Sequence, residues 1–178
     1  SADLPLLFIA LNNFKRVNDS LGHLEGDRVL VTVAERVRTC LRSTDQVARF
    51  GGDEFVVLLE DIRGPEDVHQ VLQALLDVVE VPVETMGRAL SVTPSTGIAL
   101  HPEHGDTPEL LIQHADTAMY GAKARGDKQY QFFEPSMELT AYNDLVVETQ
   151  LREALARDEF ELYYQPQIEP RHGRLVSA

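Results

Sequence analysis

The stretch Arg49-Phe50-Gly51-Gly52-Asp53-Glu54-Phe55-Val56-Val57-Leu58-Leu59-Glu60 carries the clearest hairpin pattern in this chain of 178 residues. Residues 47–50 and 55–59 are rich in β-branched and aromatic side chains, which is typical of short strands. The two glycines between them reach positive φ without steric cost and therefore suit a tight turn. This pattern predicts a hairpin that holds the carboxylates of Asp53 and Glu54 at its rigid tip.

Two adjacent carboxylates at such a tip have two interpretations. Fixed in place, Asp53 and Glu54 could bind a hard cation such as Mg²⁺, which prefers oxygen ligands in near-octahedral geometry. Acidic residues are also ordinary on an exposed turn, and the hairpin residues taken alone favour this simpler explanation. The motifs around the hairpin decide between the two.

Several further motifs stand in a fixed order around the hairpin and give the chain a specific resemblance to one family. The sequence Gly51-Gly52-Asp53-Glu54-Phe55 matches the signature of the GGDEF family, whose diguanylate cyclases join two molecules of GTP into cyclic di-GMP. The resemblance covers residues 4–133. The other matching segments are residues 8–23, 26–27, 42–45 and 115–123.

Composition is that of a soluble globular protein. Hydrophobic residues make up 43% and charged residues 25% of the sequence, which are ordinary values for this class. We expect no membrane segment in this stretch, because no apolar run has the length of a span. The lone cysteine, Cys40, excludes an internal disulfide. Its apolar neighbours predict a buried thiol, and a reducing cytoplasm is the expected compartment.

The acidic balance limits the ligands that the chain can bind. A formal charge of −13 argues against general nucleic-acid binding, which needs a basic surface. A triphosphate ligand meets the same unfavourable average field, so it requires local cations, backbone amides or a metal. The candidate cations are Lys15, Arg42, Arg49 and Lys123.

Hydrophobic periodicity predicts alternating strands and helices before residue 134. Apolar residues at helical spacing predict helices at 25–41, 64–79 and 107–125. Strands are expected at 4–11, 47–50, 55–59, 81–86, 89–100 and 129–133, and residues 12–24 form a loop with room for a short helix. Pro94 indicates a bulge or a sheet edge. This order predicts an α/β (α+β) sandwich with a central, mostly antiparallel sheet flanked by helices. It agrees with the ferredoxin-like, nucleotidyl-cyclase-like core that the resemblance implies.

The resemblance also suggests how the chain is divided. We interpret residues 1–133 as a GGDEF domain that lacks its usual N-terminal helix, and hence as part of a longer protein. Residues 134–158 predict a linker helix with Leu139 and Tyr142 on its apolar side. Residues 159–178, with a turn at Gly173, resemble the truncated start of an EAL-type cyclic di-GMP phosphodiesterase domain. Because the EAL motif and its metal ligands fall beyond this stretch, we expect no phosphodiesterase activity here and an attached EAL domain in the parent protein.

The resemblance implies that Asp53 and Glu54 are the catalytic acids, and that Mg²⁺ binds between Asp53 and the main-chain carbonyl of Leu11. Active members also supply a carboxylate from the first strand. Ala10 occupies that position here, and Asn12 occupies the place of the next aspartate. Ligand number and charge set the affinity of such a site, so we expect weakened Mg²⁺ binding and low or absent turnover. The alternative is that the hairpin acids, alone or with a neighbouring acid, suffice.

Most of the GTP-binding residues implied by the resemblance are present. Asn18 and Asp27 correspond to the pair that reads the guanine edge, although an asparagine in a turn and an acid near a helix start are also ordinary features. The family has an arginine four residues after the lysine that corresponds to Lys123, but this chain has Asp127 at that position. This reversal of charge favours the alternative that Lys123 is an ordinary solvated lysine. The implied GTP contacts are Asn13, Phe14, Lys15, Asn18, Asp27, Gly51, Gly52 and Lys123.

Two shorter patterns remain. Arg42 and Asp45 stand where the family has its inhibitory site, in which an arginine and an aspartate hold cyclic di-GMP; a salt bridge at a helix end is the simpler explanation. His101 and His104 have metal-ligand spacing, but no cysteine or further histidine supports a site. We therefore expect both histidines to face solvent.

The sequence thus supports three functional hypotheses. The first is a degenerate GGDEF domain that binds GTP, and cyclic di-GMP at its R-x-x-D site, and regulates an attached EAL phosphodiesterase. The second is an active diguanylate cyclase, for which the family implies a homodimer with one GTP on each domain. The third is a scaffold that binds no ligand and serves dimerisation.

Overall fold

The computed structural model describes residues 4–126, 130–169, 172 and 175–177, and the chain divides into two units, Ser1–Glu138 and Leu139–Ala178. The strands of the first unit are β1 (Leu4–Leu11), β2 (Gln46–Gly51), β3 (Glu54–Leu58), β4 (Val83–Thr85), β5 (Arg88–Leu90), β6 (Pro94–His101) and β7 (Tyr130–Phe132). Its helices are α1 (Phe14–Leu21), α2 (His23–Cys40), α3 (Pro65–Glu80) and α4 (Pro108–Arg125).

A five-stranded sheet with the order β2-β3-β1-β6-β7 forms the centre of the first unit. β1 lies in the middle and pairs antiparallel with both β3 and β6, while β7 pairs parallel with β6. β4 and β5 form a separate hairpin. The predicted α/β fold with a mostly antiparallel sheet is therefore confirmed, and the hairpin of the GGDEF signature lies at one edge of that sheet.

β1 is buried on both faces, as its continuous apolar sequence predicts. Successive side chains of a strand point to opposite faces, so alternate residues of β1 join different clusters. One set packs with α2 and α3, and the other packs with α4. The set facing α4 is Leu6, Phe8 and Ala10, and the opposite set is Leu7, Ile9 and Leu11. The side chain at position 10 is therefore directed at α4.

Helix α4 begins and ends where the sequence predicts. The Thr107 side chain accepts a hydrogen bond from the Leu110 N–H at 3.3 Å, and Gly126 ends the helix with φ 70°. Polar caps and left-handed glycines satisfy the unpaired groups of helix ends. The helix lies very close to β6, because a Cβ on Gly97 would be 1.9 Å from the carbonyl oxygen of Ala115. The strand therefore fixes the depth of α4 against the sheet.

Four local predictions need correction. The predicted strand 89–100 divides at residues 91–93, so that its first part belongs to the β4–β5 hairpin and its second part is β6. Pro94 lies at neither an edge nor a bulge; it is the first residue of a central strand, a position where proline is tolerated. Residues 12–24 are largely helical, comprising α1 and the start of α2. Cys40 is half-buried, and burial raises the pKa of its thiol.

His104 does not face solvent, contrary to the sequence-based expectation, whereas His101 is half-exposed. The His104 side chain is 11% exposed, and its Nδ1 accepts a hydrogen bond from the Leu100 N–H at 3.1 Å. Its ring lies edge-on to Phe133, with centroids 5.4 Å apart. Burial lowers the pKa of His104; Glu103 acts in the opposite direction and His114 in the same direction. His104 is thus a structural acceptor that needs its neutral form.

We expect stability to fall on acidification from about pH 7.5 to pH 5.5. Below a pKa of about 6.5 the unfolded chain takes up a proton at His104 that the folded protein excludes, so this contribution is present above that pH and lost below it. His104→Asn keeps a side-chain acceptor for the Leu100 amide without titrating. Urea unfolding at both pH values tests this: an equal loss in the variant would contradict the role given to His104.

The second unit contains most of helix α5 (Ser136–Ala156), followed by β8 (Gln167–Ile168) and β9 (Leu175–Ser177). A helix lies within the predicted range 134–158, but Leu139 and Tyr142 on its expected apolar side are exposed. Of the stretch 160–168, only the last two residues are a strand. The expected turn at Gly173 lies outside the described residues. In the described part of the chain no helix has the length and apolar character needed to cross a membrane.

Candidate functional site

The tip of the signature hairpin is braced by Arg49. Strands β2 and β3 pair up to Arg49 and Phe55, where the register shifts, and Gly52 has φ 47°. The guanidinium of Arg49 donates two hydrogen bonds to the carbonyl oxygen of Gly52, from Nε at 2.9 Å and from the terminal nitrogen at 2.7 Å. Arg49 therefore holds the glycine turn in place. The sequence suggested Arg49 only as a candidate cation for phosphate and did not predict this structural role.

The braced tip is joined to the centre of the sheet. The N–H of Leu11 donates to the carbonyl oxygen of Asp53 at 3.2 Å, and Ala10 lies opposite Glu54 in the register of β1 and β3. Both acidic residues are half-buried. The structure therefore brings together the hairpin acids and the end of β1, as the sequence predicts.

Two residues of α4 complete the electrostatic environment of this tip. Partial burial raises the pKa of Glu54, Asp116 and Asp53 raise it further, and Lys123 opposes them. The Asp116 residue as a whole is exposed, yet its carboxyl group is partly removed from water, which raises its pKa as well. Asp116 was not predicted as a site residue. Its position seven residues before Lys123 puts both on one side of a helix, a spacing that could have identified it.

Ala10 leaves a gap in the set of possible metal ligands. Its methyl group is 3% exposed and packs in one cluster with Ala115 and Met119. Among the described residues, no three histidine, cysteine, aspartate or glutamate side chains are placed to hold a metal together. Asp53 and the carbonyl of Leu11 are the remaining candidates. These residues do not fit the Mg²⁺ site that the resemblance implies, because the buried methyl group of Ala10 stands in place of a carboxylate ligand.

Asn12 does not supply the missing ligand. Its side-chain amide donates to the Thr93 hydroxyl at 3.2 Å, and its carbonyl oxygen accepts from the Ser95 hydroxyl at 2.9 Å. The backbone N–H of Asn12 also donates to the carbonyl of Thr93 at 2.8 Å. Asn12 therefore ties the end of β1 to the start of β6.

The two residues expected to read guanine lie on neighbouring helices. Asn18 is half-buried on α1, and a Cβ on Gly26 of α2 would be 1.9 Å from its side-chain oxygen. Asp27 follows Gly26 and is exposed. The structure therefore places the Asn18 amide against the helical turn that carries Asp27, with the glycine making this approach possible. Both side chains belong to the same end of the α1–α2 pair.

The expected phosphate contacts are spread over two elements. Asn13 has φ 57° and caps the start of α1, where Phe14 is buried as the first helical residue and Lys15 is exposed. The amides of a helix start favour anions. Lys123 lies on α4 and is close enough to influence Glu54. Asp127, which stands in place of an arginine, lies outside the described residues.

Asp45 of the R-x-x-D motif closes its own loop. One carboxylate oxygen accepts from the backbone N–H of Arg42 at 2.9 Å, and the other accepts from the N–H of Glu60 at 3.1 Å. The contact to Arg42 uses its main chain, so the salt bridge considered from the sequence is not what joins the pair. The guanidinium belongs to an exposed residue. Asp45 thus ties the loop after α2 to the end of β3.

We expect Asp45→Ala to destabilise the protein by about 1–3 kcal/mol without any ligand, because two backbone amides lose a charged acceptor. Asp45→Asn should cost less, since its carbonyl keeps one of the two bonds. Ser43→Ala, in the same exposed loop, is the control and should leave the free energy of unfolding unchanged. Urea titrations measure all three. An unchanged midpoint for Asp45→Ala would show that these bonds contribute nothing to stability.

Comparison with known proteins agrees with this geometry. The sequence profile described as diguanylate cyclase, GGDEF domain, matches residues 1–129. The chain is 42% identical over 163 residues to the cyclic di-GMP phosphodiesterase NbdA of Pseudomonas aeruginosa, covering 92% of this chain and 21% of that protein. It is 41% identical over 173 residues to the bifunctional diguanylate cyclase/cyclic di-GMP phosphodiesterase MucR of the same organism, covering 97% and 25%.

A solved structure shares the fold. The crystal structure of an EAL/GGDEF domain protein from M. capsulatus superposes with a TM-score of 0.71 at 46% identity, covering 76% of this chain and 87% of that one. The chain spans about a fifth to a quarter of the length of the two curated relatives. The structural likeness covers 76% of this chain, whereas the sequence likeness to the two curated relatives extends over 92% and 97% of it.

Proposed function

Because this chain belongs to the GGDEF family of cyclic di-GMP signalling domains, we propose that it is a degenerate member that binds GTP and does not turn it over. In this proposal the bound nucleotide regulates an EAL-type phosphodiesterase attached in the parent protein, in the cytoplasm. The absence of a carboxylate at position 10 is the observation that carries the proposal.

The packing of Ala10 supports the loss of turnover. Phosphoryl transfer requires neutralisation of charge that develops on the nucleotide, and the family achieves this with Mg²⁺. Here the methyl group opposite Glu54 is embedded beside Ala115 and Met119. Asp53 and Glu54 still place negative charge here, but the first-strand carboxylate that would help them to bind a cation is missing. A triphosphate therefore depends on Lys15, Lys123 and backbone amides for its binding.

The intact base-reading end supports retained nucleotide binding. A carboxylate such as that of Asp27 can accept from the N1–H and 2-amino donors of guanine, and an amide such as that of Asn18 can serve the remaining edge. Gly26 lets the two helices approach at this point. In this proposal the guanine-binding residues Asn18 and Asp27 are retained, whereas the metal-binding carboxylate at position 10 is lost.

Calorimetry with GTP tests the binding part of the proposal. We expect one nucleotide per chain, bound with or without Mg²⁺. Asn18→Ala and Asp27→Ala should each weaken binding roughly tenfold or more, the usual cost of losing a charged or buried hydrogen bond. Asp19→Ala, an exposed neighbour on α1, is the matched control. No heat at millimolar GTP would favour the scaffold hypothesis instead.

Cyclic di-GMP is proposed as a second ligand, at the loop that carries Arg42. Asp45 holds the loop in place through two backbone amides, and the guanidinium of Arg42, an exposed residue, is the cationic group that would recognise phosphate or guanine. Arg42→Ala should therefore weaken cyclic di-GMP binding and leave GTP binding unchanged.

An active cyclase is the second candidate function, and Asp116 favours it. Its carboxylate acts on Glu54 from α4 and adds an acid near the gap at position 10. The names of the relatives fit either outcome, since NbdA is a phosphodiesterase and MucR is bifunctional. Activity in this family would also require a homodimer with two domains facing each other.

A further inference from the structure

A cavity of about 720 Å³ lies between α1, the β4–β5 hairpin and the segment that leads into β6. Its volume is within the range of roughly 300–1,000 Å³ that small-molecule sites occupy. Its lining comes from residues 12–13, one side of α1, the β4–β5 hairpin and residues 91–93.

The charge of this cavity is opposite to that of the protein. Arg16 and Arg88 line it, and in the described part of the chain no acidic side chain does, although the whole chain carries a formal charge of −13. Glu25 does not line the cavity but accepts a hydrogen bond from the hydroxyl of Thr85, which does. Its other carboxylate oxygen is paired with Arg28 at 2.8 Å. The cavity is therefore a local positive region.

The remaining wall is partly apolar. Val17 and Val92 are 8% and 3% exposed and belong to the main core cluster. Leu21 and Leu90 are half-buried and pack against the same cluster. Hydroxyl and amide side chains of the α1 and hairpin segments complete the lining. A ligand that fits this wall has a compact apolar body and carries a negative charge toward the arginines.

The cavity is separate from the proposed nucleotide site. None of Asn18, Asp27, Asp53, Glu54 or Lys123 lines it within the described residues. On α1, the lining positions 16, 17, 20 and 21 share one side at helical spacing, and Asn18 projects away from it toward Gly26. The two sites meet only at the turn formed by Asn12 and Asn13.

We propose that this cavity binds a small organic anion, a carboxylate, sulfonate or phosphate monoester on an aromatic or aliphatic body. Guanidinium groups suit this role because their planar donors form paired, charge-assisted hydrogen bonds with such oxygens. The apolar wall removes the ligand body from water. Asn13 belongs to the lining, and its amide is also a proposed phosphate contact. An occupant would therefore lie beside a bound nucleotide, as an effector, without replacing it.

The test compares 2-naphthoate with its neutral analogue 2-naphthamide on the whole chain, by calorimetry and amide NMR. We expect 2-naphthoate to bind more tightly than 2-naphthamide and to shift the amide signals of residues 13–21 and 85–93. Arg16→Gln combined with Arg88→Gln should weaken 2-naphthoate binding roughly tenfold or more, as loss of charge-assisted bonds does. Arg38→Gln, an exposed arginine of α2, should change nothing.

Three outcomes would overturn the proposal. They are equal affinity for the acid and the amide, unchanged affinity in the double variant, and displacement of 2-naphthoate by GTP in direct competition. Thermal melts confirm that each variant is folded. Ser20→Phe, which fills the cavity from the exposed side of α1, should abolish binding of both probes; retained binding would place them elsewhere.

Discussion

Replacing Ala10 with aspartate should strengthen the protein's response to Mg²⁺, which we expect to be weak in the natural chain. Without the cation, the new carboxylate lies opposite Glu54 and beside Ala115 and Met119, so we expect a loss of about 1–3 kcal/mol from burying an unpaired polar group. With millimolar Mg²⁺, the variant regains stability because a cation that binds only the folded state stabilises it. Cation affinity should rise at least about tenfold.

The control for this prediction is Ala10→Asn, which has the same shape and no charge. Unfolding of both variants and of the natural chain is followed with and without Mg²⁺, and cyclic di-GMP formation from GTP is measured alongside. Only the aspartate variant should be stabilised by the cation and gain turnover. A similar response of the asparagine variant would show that charge at position 10 is not what the site lacks.

Replacing Gly97 with alanine should cost about 3 kcal/mol or more. The added methyl group would stand 1.9 Å from the carbonyl oxygen of Ala115 and 2.2 Å from the nitrogen of Met119. Both are backbone atoms of α4, so relief requires moving the helix away from β6, and overpacking of this kind strains a close-packed core. Lys123 lies on α4 and Ala10 packs against it. A shift of this helix should therefore disturb the candidate site as well as the fold.

Gly51→Ala is the matched control, since a Cβ there meets nothing within 4 Å. Thermal melts should show a fall of roughly 10 °C for the Gly97 variant, from about 2–4 °C per kcal/mol in a domain of this size, and little change for the Gly51 variant. Equal melting temperatures would mean that α4 can shift without cost and that the close contact does not fix its position.

Much of the fold follows from local pattern. The run at 4–11 contains no polar interruption, so it predicts a strand buried on both faces, and the structure confirms its bounds. The two ends of α4 were likewise predicted from the sequence, from the cap residue Thr107 and from Gly126, and the structure confirms both. The break at 91–93 could not be predicted, because a β-rich stretch does not reveal which sheet each half joins. His104 was misjudged for a related reason, since its burial depends on Phe133, which is distant in sequence.

For the candidate site, the sequence predicted where the acidic residues lie; their roles stay predictions. The motif places Asp53 and Glu54 at the tip, and the family resemblance implies that position 10 lies close to this tip. The pairing of Ala10 with Glu54 is consistent with that closeness, but the register itself was not predicted. The hydrogen bonds of Arg49 to Gly52 and of Asp45 to Glu60 could not be predicted. Both partners contribute main-chain atoms, which every residue type has, so the sequence does not show which residue will be the partner. The influence of Asp116 on Glu54 depends on how deeply α4 sits against the sheet, which Gly97 determines through a contact that sequence does not show.

The central claim is that guanine recognition survives where the chemistry of the site is lost. The most direct test incubates the natural chain, joined in its parent protein, with GTP and Mg²⁺, and separates the nucleotides by chromatography while calorimetry follows binding. The account predicts that GTP binds and is recovered unchanged. Consumption of GTP in proportion to protein concentration, with appearance of cyclic di-GMP or of the linear dinucleotide that a phosphodiesterase makes from it, would contradict it.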